Sequence, residues 1–173
     1  MQKPNKEETK MAGIDLSTAG IRIGIATEAS AGSRPTSGYK NIPGPKSIPA
    51  MDDAPSLLDS TSLNATKYKT YIQGLRDLGG GDIGITFNYT QSFCTVWDAI
   101  VSANETAKAS GKRSWLTFYV PGVSDAFFIP VDIVERGNPG AEVDAVLETT
   151  GHFIPVGEPG FFTAVNPTDD PSA

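Results

Sequence analysis

Two periods run through this chain. In "IRIGIATE", Ile21, Ile23 and Ile25 alternate with Arg22 and Gly24, the two-residue period of a half-buried strand. In "TKYKTYIQGL", Tyr68, Thr70 and Ile72 alternate with Lys67, Lys69 and Tyr71, and "IGITFNYT" places Ile83, Ile85, Phe87 and Tyr89 on one side. These two segments flank a glycine-rich turn at Gly79 to Asp82, so the expectation is a hairpin between them. The period then changes. In "QSFCTVWDAIVSANETAKASG", Phe93, Val96, Trp97, Ile100 and Val101 recur at spacings of three, four, seven and eight, which predicts one amphipathic helix. Thr90 or Ser92 can cap its start, Lys108 places a cation in its last turns, and Gly111 can end it.

Three more strands follow, in "RSWLTFYV", "AFFIPVDIVERG" and "AEVDAVLETTGHFI". Trp115 to Val120 is apolar on both sides, so it is expected to be buried twice, by helix and sheet or by a neighbouring subunit. Pro130 has no N–H to give to a ladder and predicts an edge or a bulge in the second. The intervals are long and polar. Residues 29–50 are crowded with Ser, Gly and Pro, with short extended pieces expected around Tyr39 to Ile42 and Lys46 to Ile48. The next piece, "AMDDAPSLLDSTSLNATK", carries only Met51, Leu57, Leu58 and Leu63 as large apolar residues. Such a loop inside a small domain tends to be functional or to order against a partner. The expected organisation is a flexible arm over residues 1–12, a domain over 13–156 with a long loop at 43–66, and an extension over 157–173. Met11 offers a second start, and Phe161 and Phe162 in the extension either dock or fray.

Length and composition bound the function. The 173 residues suit one domain, and 18 Gly with 13 Pro favour short strands joined by turns, hence a mainly β (α+β) fold. A formal net charge of −6 argues against a nucleic-acid grip, which needs clustered cations. Cys94 is the only cysteine, so neither an intrachain disulfide nor a Cys-based zinc site is expected. "MQKPNKEETK" lacks the apolar core of a signal peptide, and no segment has the length of apolar residues that spans a bilayer. Without a secretory signal, the acceptor tripeptides at Asn64, Asn88 and Asn104 read as chance.

No catalytic constellation emerges, and no catalytic, cofactor or metal residue is assigned. His152 is the only histidine and reads as an ordinary strand residue. "ASGKRS" at Ala109 to Ser114 lacks the upstream glycine of a phosphate loop and runs from helix to strand, the reverse order. Gly79 to Asp82 lacks the strand-to-helix setting of a dinucleotide site. Asp52, Asp53 and Asp59 lack the spacing and central glycine of a calcium loop. The aromatic pair Phe93 and Trp97 reads as core.

The order of these pieces carries a resemblance. A strand, the acidic loop "IPAMDDAPSLLDSTSL", the segment "YKTYIQGLRDLGGGDIGITFNY", a helix around Trp97 and three further strands resemble the major tail tube protein of long, non-contractile-tailed bacteriophages, from Ile14 to Val156. The resemblance implies a β-sandwich or barrel with one flanking helix, and no enzyme. It implies six subunits per ring and rings stacked into a tube, the conduit for genome delivery. Partners would be further copies of the chain, a tape measure protein and tail tip or terminator proteins, with DNA passing unbound and no membrane insertion. The setting would be the virion tail, assembled in the host cytoplasm. Met51, Leu57, Leu58 and Leu63 become assembly-loop candidates. Tyr68, Tyr71, Ile72, Ile83, Ile85, Phe87 and Tyr89 become candidates for a hairpin of the tube wall. Phe93, Val96, Trp97, Ile100 and Val101 form the core face of the helix. Two other classes remain: a tube-forming hexamer of a contractile or secretion-type apparatus, and a carbohydrate-binding or adhesion β-sandwich with an exposed aromatic platform.

Overall fold

A computed structural model describes residues 16–51, 55–78 and 81–169. The arm at 1–12, Met11, Asp52, Asp53, Gly79 and Gly80 lie outside them. The elements in chain order are β1 (Arg22–Thr27), β2 (Lys40–Asn41), β3 (Pro45–Ser47), β4 (Pro55–Asp59), β5 (Tyr71–Arg76), β6 (Ile83–Asn88), α1 (Gln91–Ala109), β7 (Ser114–Tyr119), β8 (Asp125–Ile133), β9 (Glu148–Pro155) and β10 (Gly160–Thr163). Eight strands make one curled, open antiparallel sheet in the order β2-β1-β7-β8-β9-β6-β3, with β10 added on β8. This is the mainly β, one-helix architecture that the periods predict.

The helix lies across one face of the sheet. Thr90 is its N-cap, its hydroxyl accepting from the Phe93 amide at 3.1 Å, and Gly111 follows the C-cap at φ 69°, a left-handed conformation that glycine adopts without strain. Phe93, Trp97 and Ile100 are buried against Ile23, Ile25, Ile83, Ile85, Phe87, Leu116, Ile129, Val131 and Phe153, while Val96 and Val101 flank them half-buried. Trp97 is the centre. Its ring lies 5.2–5.7 Å from those of Phe87, Phe93 and Phe153, and its indole N–H donates to the Val134 carbonyl at 3.1 Å. Gly151 of β9 lies directly beneath: a Cβ there would stand 2.3 Å from the indole.

The opposite face has its own small cluster of Tyr39, Ala126 and Phe128, covered by the C-terminal segment. β10 pairs with β8, bringing Phe161 against Phe127 and Phe162 against Phe128. The Arg34 guanidinium sits between the Phe128 and Phe162 rings, 4.6 and 4.3 Å from their centroids. Pro167 then packs over Gly24, where a Cβ would meet it at 2.5 Å, and Thr168 bridges to Lys40 beside β2. The extension therefore docks. At the start of β7, the buried Glu28 carboxylate accepts from the Trp115 indole (2.9 Å), the Gly32 amide (2.9 Å) and the Arg113 amide (3.2 Å).

Two expectations are corrected. The segment around Tyr71 and Ile72 does not pair with Ile83 to Tyr89. β5 pairs instead with β4, Leu58 opposite Ile72 and Asp59 opposite Tyr71, and the two form a separate sheet. β6 lies between β9 and β3. The reason is facial. β6 is apolar on one side only, with Ile83, Ile85 and Phe87 all buried, and matches Thr149, Gly151 and Phe153 of β9 beneath the helix. β5 carries Tyr71 and Leu75 on one face and Ile72 on the other, so no placement in a one-sided sheet buries it. The second correction concerns Pro130, which sits within the central strand β8 opposite Trp115. On its other side β8 exchanges partners, pairing with β10 up to Phe128 and with β9 from Val131. The Pro130 carbonyl accepts from Val156 at 2.9 Å, so its missing N–H faces this gap, where no ladder bond is required.

Gly151→Ala is expected to lower stability by about 1–3 kcal/mol in urea unfolding, because the indole beneath has nowhere to move. Burial opposes ionisation of Glu28, but the Trp115, Gly32 and Arg113 donors and the Arg113 charge outweigh it and hold the carboxyl below the usual glutamate range. Its ionised form thus stabilises the fold above the unfolded-state pKa, and that contribution is lost as pH falls through the lower folded value. Glu28→Gln should flatten the acid limb of a melting-temperature profile measured from pH 7 to pH 3.

Candidate assembly surface

β4 and β5 hydrogen-bond to each other and to no strand of the larger sheet among the described residues. The ladder continues past the strands: the Ser60 amide donates to the Thr70 carbonyl at 2.9 Å, and the Thr70 amide donates to the Thr61 hydroxyl at 3.0 Å. Thr61 in turn donates its amide to Asp59 at 2.9 Å. The Thr61 hydroxyl, chief among these contacts, holds the Asp59 carboxyl below its ordinary range, and Lys69 lies 3.7 Å from it. These bonds make a hairpin arm with a polar skeleton and a tip at residues 61–69.

Apolar side chains sit on both faces of this arm. Leu58 and Ile72 are directly opposed on one, and Leu57, Tyr71 and Leu75 share the other. All are exposed, Leu75 at 90%, while Leu63 and Tyr68 at the tip are essentially uncovered. A lone two-stranded hairpin is marginal in water, and the usual remedy is to bury one face on a core. This arm buries neither. Of the assembly-loop candidates, Leu57, Leu58 and Leu63 stand on the arm, whereas Met51 is half-buried against the main core. Of the wall candidates, Tyr68, Tyr71 and Ile72 belong to the arm. Ile83, Ile85 and Phe87 are interior residues of β6, and Tyr89 lies at the helix entry. Leu75 escaped notice in the sequence, although its spacing of four from Tyr71 puts it on the same strand face.

A second exposed apolar segment joins β8 to β9, where Ala141 to Leu147, expected as the start of the last strand, is irregular and the strand begins only at Glu148. Its start is clamped: Arg136 donates to Asp98 at 2.7 and 3.1 Å and to the Tyr89 hydroxyl at 2.8 Å. That guanidinium holds the Asp98 carboxyl below its ordinary range, and Asp98 raises the Arg136 pKa further. Its end is clamped by the Tyr89 amide donating to the Leu147 carbonyl at 2.9 Å. Between the clamps, Val143 and Val146 are exposed at a turn where Asp144 takes a left-handed conformation, φ 60°.

No enzymatic arrangement accompanies these surfaces among the described residues. His152 pairs through Nδ1 with Asp82 at 2.7 Å on the open face of β6 and β9, with no nucleophile in the contact. No group of three His, Cys, Asp or Glu there is placed to hold a metal ion. No described helix is long and apolar enough to cross a membrane. Asn104 is buried, donating to Asp132 at 2.6 Å and accepting from Ser114 at 2.7 Å, so its acceptor tripeptide is inaccessible in the folded chain.

Solved structures share this fold over almost the whole chain. One is a subunit in the cryo-EM structure of the anti-feeding prophage (AFP) baseplate, 6-fold symmetrised, with a TM-score of 0.59 over 88% of this chain and 98% of that one, at 9% identity. Another is a subunit in the tail of an empty GTA particle with C6 symmetry, with a TM-score of 0.53 over 86% of this chain and 100% of that one, at 13% identity. The fold is one used in six-fold tail and baseplate assemblies. At such identities the likeness concerns the fold alone. Sequence comparison finds no matching family and no matching curated protein.

If the arm is independent of the core, replacing Leu57 and Leu58 together by Ser should shift the stability of the main sheet by no more than about 0.5 kcal/mol in urea unfolding followed by Trp fluorescence. A loss as large as that of a core truncation would mean that the arm folds onto the sheet.

Proposed function

We propose that this chain is a non-enzymatic structural subunit of a phage-tail-type assembly, polymerising as stacked hexameric rings into a tail tube through which the genome passes. The observation that carries this reading is the arm: two strands, apolar on both faces and exposed, attached to a body whose fold recurs in six-fold assemblies. A ring needs heterologous contacts, one surface of each subunit meeting a different surface of the next. An arm that buries neither face on its own body is suited to one half of such a contact. Six copies would bring about 36 negative charges to each ring, which disfavours adhesion of a polyanion in transit. In this role the chain's main partner is itself, with a tape measure protein and tail tip or terminator proteins at the ends of the tube, in a virion tail assembled in the host cytoplasm.

A second reading, a tube-forming hexamer of a contractile or secretion-type apparatus, is favoured by the likeness to a baseplate subunit. Both readings share the ring and differ in what the rings build.

Negative-stain electron microscopy of the purified protein across a concentration series, with added tail tips as nuclei, is expected to yield hollow filaments with a regular axial repeat. Free rings without filaments would favour the second reading. A variant with Ser56 to Leu75 replaced by a short Gly-Ser turn should keep the melting transition of the main sheet and form no filaments. Normal filaments from it would remove the arm from assembly.

A further inference from the structure

We infer that the tip of the arm docks into the loop between β8 and β9 of a second copy of this chain, inserting Leu63 and Tyr68 between its limbs with Lys67 and Lys69 against Glu142 and Asp144. This inference rests on the assembly reading above and names the receiving surface. The two segments are complementary in three respects.

The first is charge. Ser60 to Lys69 contains two lysines and no acid, whereas Pro139 to Leu147 contains Glu142 and Asp144 and no base, an opposition of sign within a chain that is acidic overall. Lys67 has no hydrogen bond or ion pair among the described residues, and Lys69 has only the 3.7 Å contact with Asp59. Glu142 and Asp144 are likewise unpaired there.

The second is apolar surface. Leu63 and Tyr68 project from the tip, and Val143 at 92% and Val146 at 68% exposure project from the loop. The third is shape. The limbs of the loop flank a cleft of about 470 Å³ lined by Gly140, Ala141, Ala145, Val146 and Leu147, small or apolar, with the carboxylates Glu142 and Glu148 at its sides and room for a Leu or Tyr side chain. The loop is held at both ends by the Arg136 and Leu147 clamps, yet among the described residues no hydrogen bond ties residues 140–146 to the body, so the cleft keeps its place and can adjust to a guest. The contact joins different surfaces of two copies, so it can repeat from copy to copy, closing as a ring or running on as a filament.

Two measurements test this. In the first, one preparation carries Leu63→Cys and another Val143→Cys, both in a Cys94→Ser background, and they are mixed and oxidised during assembly. Disulfide-linked dimers are expected only in the mixture. In the second, Lys67→Glu with Lys69→Glu should slow filament growth by about tenfold or more, since like charges then oppose across the contact. Adding Glu142→Lys and Asp144→Lys to the same chain should restore growth. Filaments from the unmodified chain that give no cross-link in the mixture, and no rescue by the second charge reversal, would overturn this contact while leaving the assembly reading intact. An unmodified chain that never associates, even with tail tips, would overturn both.

Discussion

The structure depends on the seating of one indole on one glycine. Trp97 reaches the sheet because Gly151 has no side chain, and the rings of Phe87, Phe93 and Phe153 close around it. Its N–H is satisfied by the Val134 carbonyl at the end of β8, so this contact also fixes where the chain leaves the sheet. From there Arg136 is delivered to Asp98 and Tyr89, and the loop that follows is set at the helix flank. One packing contact thus positions the core and an exposed surface together.

The two faces of the sheet are completed differently. The helix covers one with large aromatic and aliphatic side chains, while a strap of residues 160–169 covers part of the other with β10, Pro167 and Thr168. The strap also occupies ground beside β2, and β3 at the opposite end is short, bulged and begins with Pro. Both ends of the main sheet are therefore poor templates for pairing with another chain. Apart from Phe161, Phe162 and Ile154 on β10 and β9, much of the exposed apolar surface lies outside the sheet, on the β4–β5 arm and on the loop before β9. This separates two demands: the body satisfies its own backbone and core, and in the proposed assembly contact with other copies falls to appendages outside it.

Several titratable groups of the body are committed to structural ties, Glu28 to Trp115, Asp132 to Asn104 and Lys108, and Arg136 to Asp98. His152 and Asp82 meet on an open strand face without a third group to give the pair a reaction.

The sequence by itself determined the local elements. A period of two marked β1 and β6, an apolar run on both sides marked β7, a period of 3.6 with Thr90 and Gly111 at its ends marked the helix, and the Pro-rich stretch before β4 marked loop with short extended pieces, because these signals arise between residues only a few positions apart. What the tertiary structure decided was partnership. The strand after the long loop turned back onto β4 rather than forward onto β6, Pro130 entered a central strand at the one point where its flank is open, and the Phe161 tail found a place on β8. None of these is written in a local period. Each depends on which faces remain uncovered once the helix has taken its seat, and that is a property of segments distant in sequence brought together.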